Sequence, residues 1–287
     1  MKGRVLFASA HFLVAGSTLA AGGAFVTTSD NIRIRYVQAG KAQPGRPALL
    51  FVPGWTMAAE IWEPQISHFS KSRRVVAMVP RSQGGSSKPA DGNYPATRAR
   101  DIRAVVDRLK LAPVVLIGWS MGVTELASYV DQFGNDTLAG LVLVDGIAGA
   151  AFDPQVSPVM LRWAASLQVD RRKTTEAFVR SMFRKLQSEP YLRALVETSL
   201  KTPTNSAVAL FLGSFTTDNR TALARIKVPT LIVRAAGSPW TAAFEELHER
   251  IKGSRLETME GVGHALFVDD AAGFNALLDE FLSRIRH

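Results

Sequence analysis

The chain has 287 residues, 47% hydrophobic and 21% charged, so it carries enough apolar material for a globular core and is not a disordered segment. Its 34 Lys and Arg against 25 Asp and Glu leave a formal net charge of +9, but the basic residues are scattered and form no aromatic-interleaved stripe, which argues against a nucleic-acid partner. There is no cysteine, which excludes disulfides, thiolate metal sites, a cysteine nucleophile and a lipobox-type lipid anchor.

Residues 1–24 place Lys2 and Arg4 before an apolar run that ends in small residues, the order of a secretory signal peptide. The run has the length of a short membrane span, although His11, Ser17 and Thr18 interrupt it. Export to the periplasm or medium is the expectation, a membrane-anchored or cytoplasmic protein the alternative. Membrane contact follows only if the segment is retained.

Residues 25–39 alternate in polarity about a turn at Ser29-Asp30-Asn31, which predicts a two-stranded hairpin. Residues 48–52 and 75–79 are continuous apolar runs, expected as strands buried on both faces. Helical periodicity follows each of them, at 61–70 and 95–109. Residues 114–122, V-V-L-I-G-W-S-M-G, read as a buried strand running into a G-x-S-x-G turn, with a helix over 123–133. That context predicts a nucleophile elbow, with Gly118 and Gly122 relieving crowding and Ser120 held at a strained backbone angle.

A strand at 141–144 ends at Asp145. The alternation of strand and helix then pauses. Helical patterns at 157–167, 174–186, 191–200 and 206–215 carry Met160, Trp163, Phe178, Met182, Phe183, Leu210, Phe211 and Phe215. The rhythm resumes with a strand at 229–234, a helix at 240–251, a strand at 255–259, the loop Gly261-Val262-Gly263-His264 and a closing helix at 271–285. Such alternation implies an α/β fold with a mostly parallel twisted sheet covered by helices on both faces. The expected organisation is a core of residues 25–145 and 222–287 with a helical cap, or lid, at 146–221.

Ser120, an acid and His264 then fall in loops after strands, where sites form in open α/β sheets. In this order the motifs resemble the α/β-hydrolase superfamily over roughly residues 25–285: G-W-S-M-G at 118–122, G-V-G-H at 261–264, P-G-W at 53–55 and R-S-Q-G-G-S at 81–86. The stretch W-T-M-A-A-E-I-W at 55–62 is most similar to the arylesterase and cofactor-free haloperoxidase branch of serine hydrolases. The resemblance implies Ser120 as nucleophile, His264 as general base, and the backbone N–H groups of Trp55 and Met121 as an oxyanion hole. No metal cluster or phosphate-binding glycine loop appears in the sequence, so no metal and no cofactor are expected. Trp119, Trp163, Phe178, Met182, Phe211 and Trp240 are expected around a pocket for a small-molecule ester or lactone with an apolar portion.

Three positions depart from the family pattern. Pro53-Gly54 stands where His-Gly is usual, Val79 where an acid precedes the loop arginine, and Ser238 where the catalytic acid usually follows the strand at 229–234. Asp145 is the expected replacement acid, since some family members carry theirs after this earlier strand. Glu245 and Glu246 fall on a helix away from the strand end. Asp269 and Asp270 are expected to cap the last helix, and Asp218 the short helix that follows it. The same serine constellation serves carbon–carbon bond hydrolysis and perhydrolysis, and the displaced acid leaves a non-catalytic ligand-binding protein as a further alternative. Nothing in the sequence speaks to oligomeric state.

Overall fold

The computed structural model describes residues 23–148 and 157–285. The expected export segment therefore lies outside the described residues except for its last two positions, as do residues 149–156 of the expected cap. None of the described helices is long and apolar enough to cross a membrane.

The apolar runs become the middle of an eight-stranded sheet. In chain order its strands are β1 (Ala24–Thr27), β2 (Arg33–Ala39), β3 (Ala48–Val52), β4 (Val75–Val79), β5 (Val114–Trp119), β6 (Leu138–Val144), β7 (Thr230–Ala235) and β8 (Arg255–Met259). They lie side by side as β1-β2-β4-β3-β5-β6-β7-β8. The hairpin β1–β2 joins β4 antiparallel, and from β4 onward every pair is parallel. Each residue of β4, β5 and β6 is buried, as a sheet covered on both faces requires.

Alternation along the strands divides the core in two. Leu49, Phe51, Val115, Ile117 and Trp119 face one layer, and Leu50, Val52, Val114 and Leu116 the other. The helices are α1 (Glu63–Phe69), α2 (Pro95–Arg108), α3 (Met121–Phe133), α4 (Ser157–Val169), α5 (Arg171–Ser181), α6 (Glu189–Leu200), α7 (Thr204–Thr216), α8 (Arg220–Leu223), α9 (Thr241–Arg250), α10 (Leu266–Asp269) and α11 (Ala271–Ser283). Ile66 of α1 and Phe274 and Leu278 of α11 cover the first face; Ile102 of α2, Leu126 of α3 and Phe244 of α9 cover the second. Helices α4–α7 form the excursion between β6 and β7.

Two expected helices depart by more than a residue or two at an end, one by dividing and one by shifting. Residues 61–70 divide into a 3-10 turn, Ala59–Trp62, and α1, because Pro64 has no N–H to continue a helical ladder and sits in the first turn of α1 instead. The helix expected over 174–186 is α5, which starts earlier, capped by Asp170 accepting from the Lys173 N–H at 2.9 Å. It stops at Ser181 because the Met182 carbonyl accepts from the Ala265 N–H at 2.8 Å, tying this segment to the histidine loop.

Candidate active site

β5 delivers Ser120 at φ 57° and ψ −121°, and α3 begins at the next residue. A non-glycine residue in this region stores roughly 1–3 kcal/mol that the surroundings must offset. They do so by close packing. A Cβ on Gly118 would lie 2.7 Å from the Gly122 carbonyl oxygen, and one on Gly146 would lie 2.2 Å from that of Ser120. The Ser120 N–H donates to the Val144 carbonyl at 2.9 Å, so the turn is tied to the end of β6.

Asp145 leaves that end at φ 38° and is buried. Both of its carboxylate oxygens are used. Oδ2 lies 2.7 Å from His264 Nδ1, and Oδ1 accepts the Ala235 N–H at 3.0 Å. The second bond comes from the end of β7, so the carboxylate is fixed across two strand ends while it faces the imidazole. Ser238 lies in the loop beyond; its Oγ is buried with no hydrogen-bond partner among the described residues. Glu245 and Glu246 sit on α9 and pair with Arg234 and with Arg220 and Arg250, away from His264.

The histidine loop is held from three sides. Trp119 Nε1 donates to the His264 carbonyl at 2.9 Å, with the two rings 5.0 Å apart. Asp269 Oδ2 accepts the N–H groups of Gly263 and Arg184, each at 2.8 Å, and its Oδ1 accepts from Gln187 Nε2 at 3.1 Å. Asp269 is therefore a clasp between the histidine loop and the segment after α5 rather than the expected helix cap. Asp270 alone caps α11, accepting from the Gly273 N–H at 3.2 Å. Asp218 is not the cap of α8 that its position suggests: Asn219 is the cap residue, with no side-chain cap bond, and Asp218, one residue earlier, accepts the Arg220 N–H at 3.0 Å and pairs with the Arg220 guanidinium.

Residues 53–57 run beside the elbow, with Gly54 so near that a Cβ there would lie 2.9 Å from that of Ser120. The loop turns through a Met57 N–H to Gly54 carbonyl bond of 3.2 Å, with Thr56 at φ 58°. Neither the Trp55 nor the Met121 N–H is bonded to a described residue, and Met121 opens α3, where the helix dipole favours negative charge. The Trp55 indole is locked by an Nε1 bond to the Ala207 carbonyl at 2.7 Å and by edge contacts with Trp163 and Phe178, 4.9 and 5.1 Å between centroids. Arg171 stacks its guanidinium 5.2 Å above the same ring, and burial pushes its pKa down to about 10.

Ser120, Asp145, His264, Trp55 and Met121 all open onto one cavity of about 560 Å³. Trp163, Phe178, Met182, Phe211 and Trp240 line it, together with Met160, Phe183 and Phe215. Trp119 does not. It is buried on the same sheet face as Ile117, packed edge-on against Phe267, because strand alternation turns it away from the elbow's open side. Leu210 is likewise buried behind the wall. Among the described residues no group of three His, Asp or Glu is arranged to hold a metal ion.

A second buried cluster escaped the sequence reading. Gln83, Arg98 and Glu125 are all fully buried beneath the 53–57 loop. Arg98 Nη2 donates to Gln83 Oε1 at 2.8 Å, and Arg98 Nε lies 3.2 Å from Glu125 Oε1. The helical periodicity of 95–109 and the G-x-S-x-G context of α3 place Arg98 and Glu125 on helices but not face to face, and Gln83 lies in the loop after β4.

A sequence profile described as the alpha/beta hydrolase family matches residues 49–277. The chain is 28% identical over 278 residues to a non-heme haloperoxidase of Rhodococcus erythropolis, covering 90% of this chain and 98% of that one. It is 26% identical over 274 residues to a bifunctional esterase/perhydrolase of Acinetobacter calcoaceticus, covering 90% and 99%. Among solved structures it is similar to an esterase from Exiguobacterium antarcticum, with a TM-score of 0.84 and 25% identity over 91% of this chain and all of that one. A bromoperoxidase from Bacillus anthracis matches in fold, again at a TM-score of 0.84, with 24% identity over 91% and 100%.

Proposed function

The chain belongs to the alpha/beta hydrolase family, and from that premise we propose that it is a serine hydrolase that cleaves a carboxylic ester or lactone with an apolar portion. The observation that carries the reading is the His264 Nδ1 to Asp145 Oδ2 contact of 2.7 Å in the lining of the cavity that also takes in Ser120. A carboxylate on Nδ1 leaves Nε2 free to accept a proton and compensates the imidazolium that results.

In this reading Ser120 Oγ attacks the ester carbonyl while its proton passes to His264 Nε2. The oxyanion is received by the N–H groups of Trp55 and Met121. Collapse breaks the bond to the leaving oxygen, His264 returns the proton to it, and an acyl-enzyme remains on Ser120. Water then attacks the acyl carbonyl and gives a proton to His264; the bond to Ser120 Oγ breaks, His264 returns the proton to that oxygen, and the carboxylic acid leaves. The reading requires the contact between the Ser120 hydroxyl and His264 Nε2 to form when substrate fills the cavity. The aromatic wall supports an apolar acyl or alcohol portion.

Perhydrolysis is a second activity of the same acyl-enzyme, with hydrogen peroxide in place of water. The similarity to an esterase/perhydrolase over 99% of that chain favours it as a side reaction. The test is labelling by a fluorophosphonate probe together with turnover of p-nitrophenyl esters of graded chain length. Labelling that disappears in Ser120→Ala, with turnover lost in parallel, is expected. A parent protein that neither labels nor turns over any ester would favour a binding protein on this fold.

A further inference from the structure

The turn 53–57 holds one peptide whose two ends have different jobs. Its C=O is that of Gly54 and its N–H is that of Trp55. Because a trans peptide is planar, the two bonds point in opposite directions, and whatever fixes the carbonyl aims the N–H. The Gly54 carbonyl accepts from the Met57 N–H at 3.2 Å and from Gln83 Nε2 at 3.1 Å. Gln83 Nε2 also donates to the Met57 carbonyl at 2.5 Å, so one side-chain amide spans both ends of the turn.

The direction of that amide is itself determined. Arg98 Nη2 donates to Gln83 Oε1 at 2.8 Å, and a guanidinium has donors only. The oxygen must therefore face Arg98, which leaves the NH₂ group for the two carbonyls. Arg98 is held in turn from α3, where Glu125 lies 3.2 Å from its Nε and Met121 Sδ 3.9 Å from its Nη1. Gln83, Arg98 and Glu125 are each fully buried, so water does not compete for these groups.

We propose that Gln83 is the positioning residue of the oxyanion hole: it fixes the Gly54–Trp55 peptide so that the Trp55 N–H faces the Ser120 side of the turn, with Arg98 setting which way round its amide lies. The chain from α3 through Arg98 and Gln83 then couples the two donors, since Met121 and Glu125 stand one turn apart on that helix. Hydrogen bonding at the Gly54 oxygen also polarises the peptide and strengthens its N–H as a donor. Turn geometry alone does not suffice. The Met57 bond closes the turn, but among the described residues only Gln83 ties the Gly54 carbonyl to the scaffold beneath.

The inference rests on the hydrolase reading for its effect on rate and stands apart from it for its effect on structure, so both are measured. Gln83→Glu keeps the size and the acceptor facing Arg98 but replaces the donor with a second acceptor; Gln83→Met removes both. In each variant that folds, kcat for a p-nitrophenyl ester should fall by about 10²–10³-fold with KM changed less than about threefold. Affinity for an alkylboronic acid, which places a tetrahedral oxyanion on the serine, should fall in parallel with kcat. A merely structural role would move Tm without that shared loss. Crystal structures of the parent and Gln83→Met should show the Gly54–Trp55 peptide rotated in the variant. Folded variants with kcat within about threefold of the parent, or an unmoved peptide, would overturn the inference. A parent inactive on every ester would instead count against the hydrolase reading, and the peptide orientation would then decide for or against Gln83 by itself.

Discussion

His264 Nδ1 and Asp145 Oδ2 lie 2.7 Å apart, although the two residues come from loops separated by 119 positions and the family's usual acid position holds Ser238. The pairing works because β6 and β7 are neighbours in parallel register, Val144 beside Val233, so a side chain at the end of β6 reaches over the end of β7. The Ala235 N–H then holds the other carboxylate oxygen. Asp145→Asn should leave KM nearly unchanged and lower kcat by up to ~10⁴, because the amide cannot compensate an imidazolium and presents its NH₂ to the wrong tautomer. Steady-state kinetics on a p-nitrophenyl ester measures this, and near-parental kcat would remove Asp145 from the triad.

Much of this was legible in the sequence for physical reasons. A strand buried on both faces must be apolar throughout, so β3, β4 and β5 stand out as unbroken runs. The elbow announces itself because only glycine tolerates the approaches at positions 118 and 122. The family expected from these motifs is the one that the profile matches. What the sequence hides is what depends on two helices meeting. Arg98 and Glu125 are ordinary charged residues of helical patterns until α2 and α3 pack and bury them together. Asp269 reads as a helix cap because its partners, the N–H groups of Gly263 and Arg184, carry no side-chain signature. Trp119 could have been assigned correctly, since its parity with Val115 and Ile117 sets its face.

The Asp269 clasp predicts a double phenotype. Asp269→Ala strips the acceptor from two backbone N–H groups and one amide, which should destabilise the fold by on the order of 2 kcal/mol. It also frees the histidine loop from the segment after α5, so kcat should fall by about tenfold or more. Urea denaturation and ester kinetics on the same preparation report the two effects. A loss of stability with unchanged kcat would mean that Trp119 and the Ala265–Met182 bond suffice to hold His264.

Trp163 offers a way to read the pocket. Its ring lies 4.9 Å from Trp55 and 4.1 Å from Phe211, so it fills the wall between α4 and α7. Trp163→Ala opens this space. The ratio of kcat/KM for a long-chain over an acetyl p-nitrophenyl ester should rise by roughly tenfold, the scale of added apolar contact in a pocket. An unchanged chain-length profile would put the acyl portion elsewhere in the cavity.

Glu125 sets a pH dependence of stability. Its carboxylate is fully buried and neither oxygen has a hydrogen-bond partner among the described residues, for the Arg98 contact at 3.2 Å is close but poorly aligned. Burial raises its pKa from the ordinary 4.5 to about 7, against the pull of Arg98 and with a smaller push from Asp101. The folded state thus holds this proton more tightly than the unfolded chain does. Stability from the protonated form is present in full below about pH 4.5 and is lost as pH rises through about 7. Glu125→Gln mimics the protonated carboxyl at every pH. The difference in Tm, variant minus parent, should therefore be small near pH 5 and grow in the variant's favour by pH 8. Thermal melts of both proteins across that range decide the matter. A constant difference would mean that Glu125 does not change charge there, and a trend of opposite sign would mean that its ion pair with Arg98 outweighs the burial of both charges.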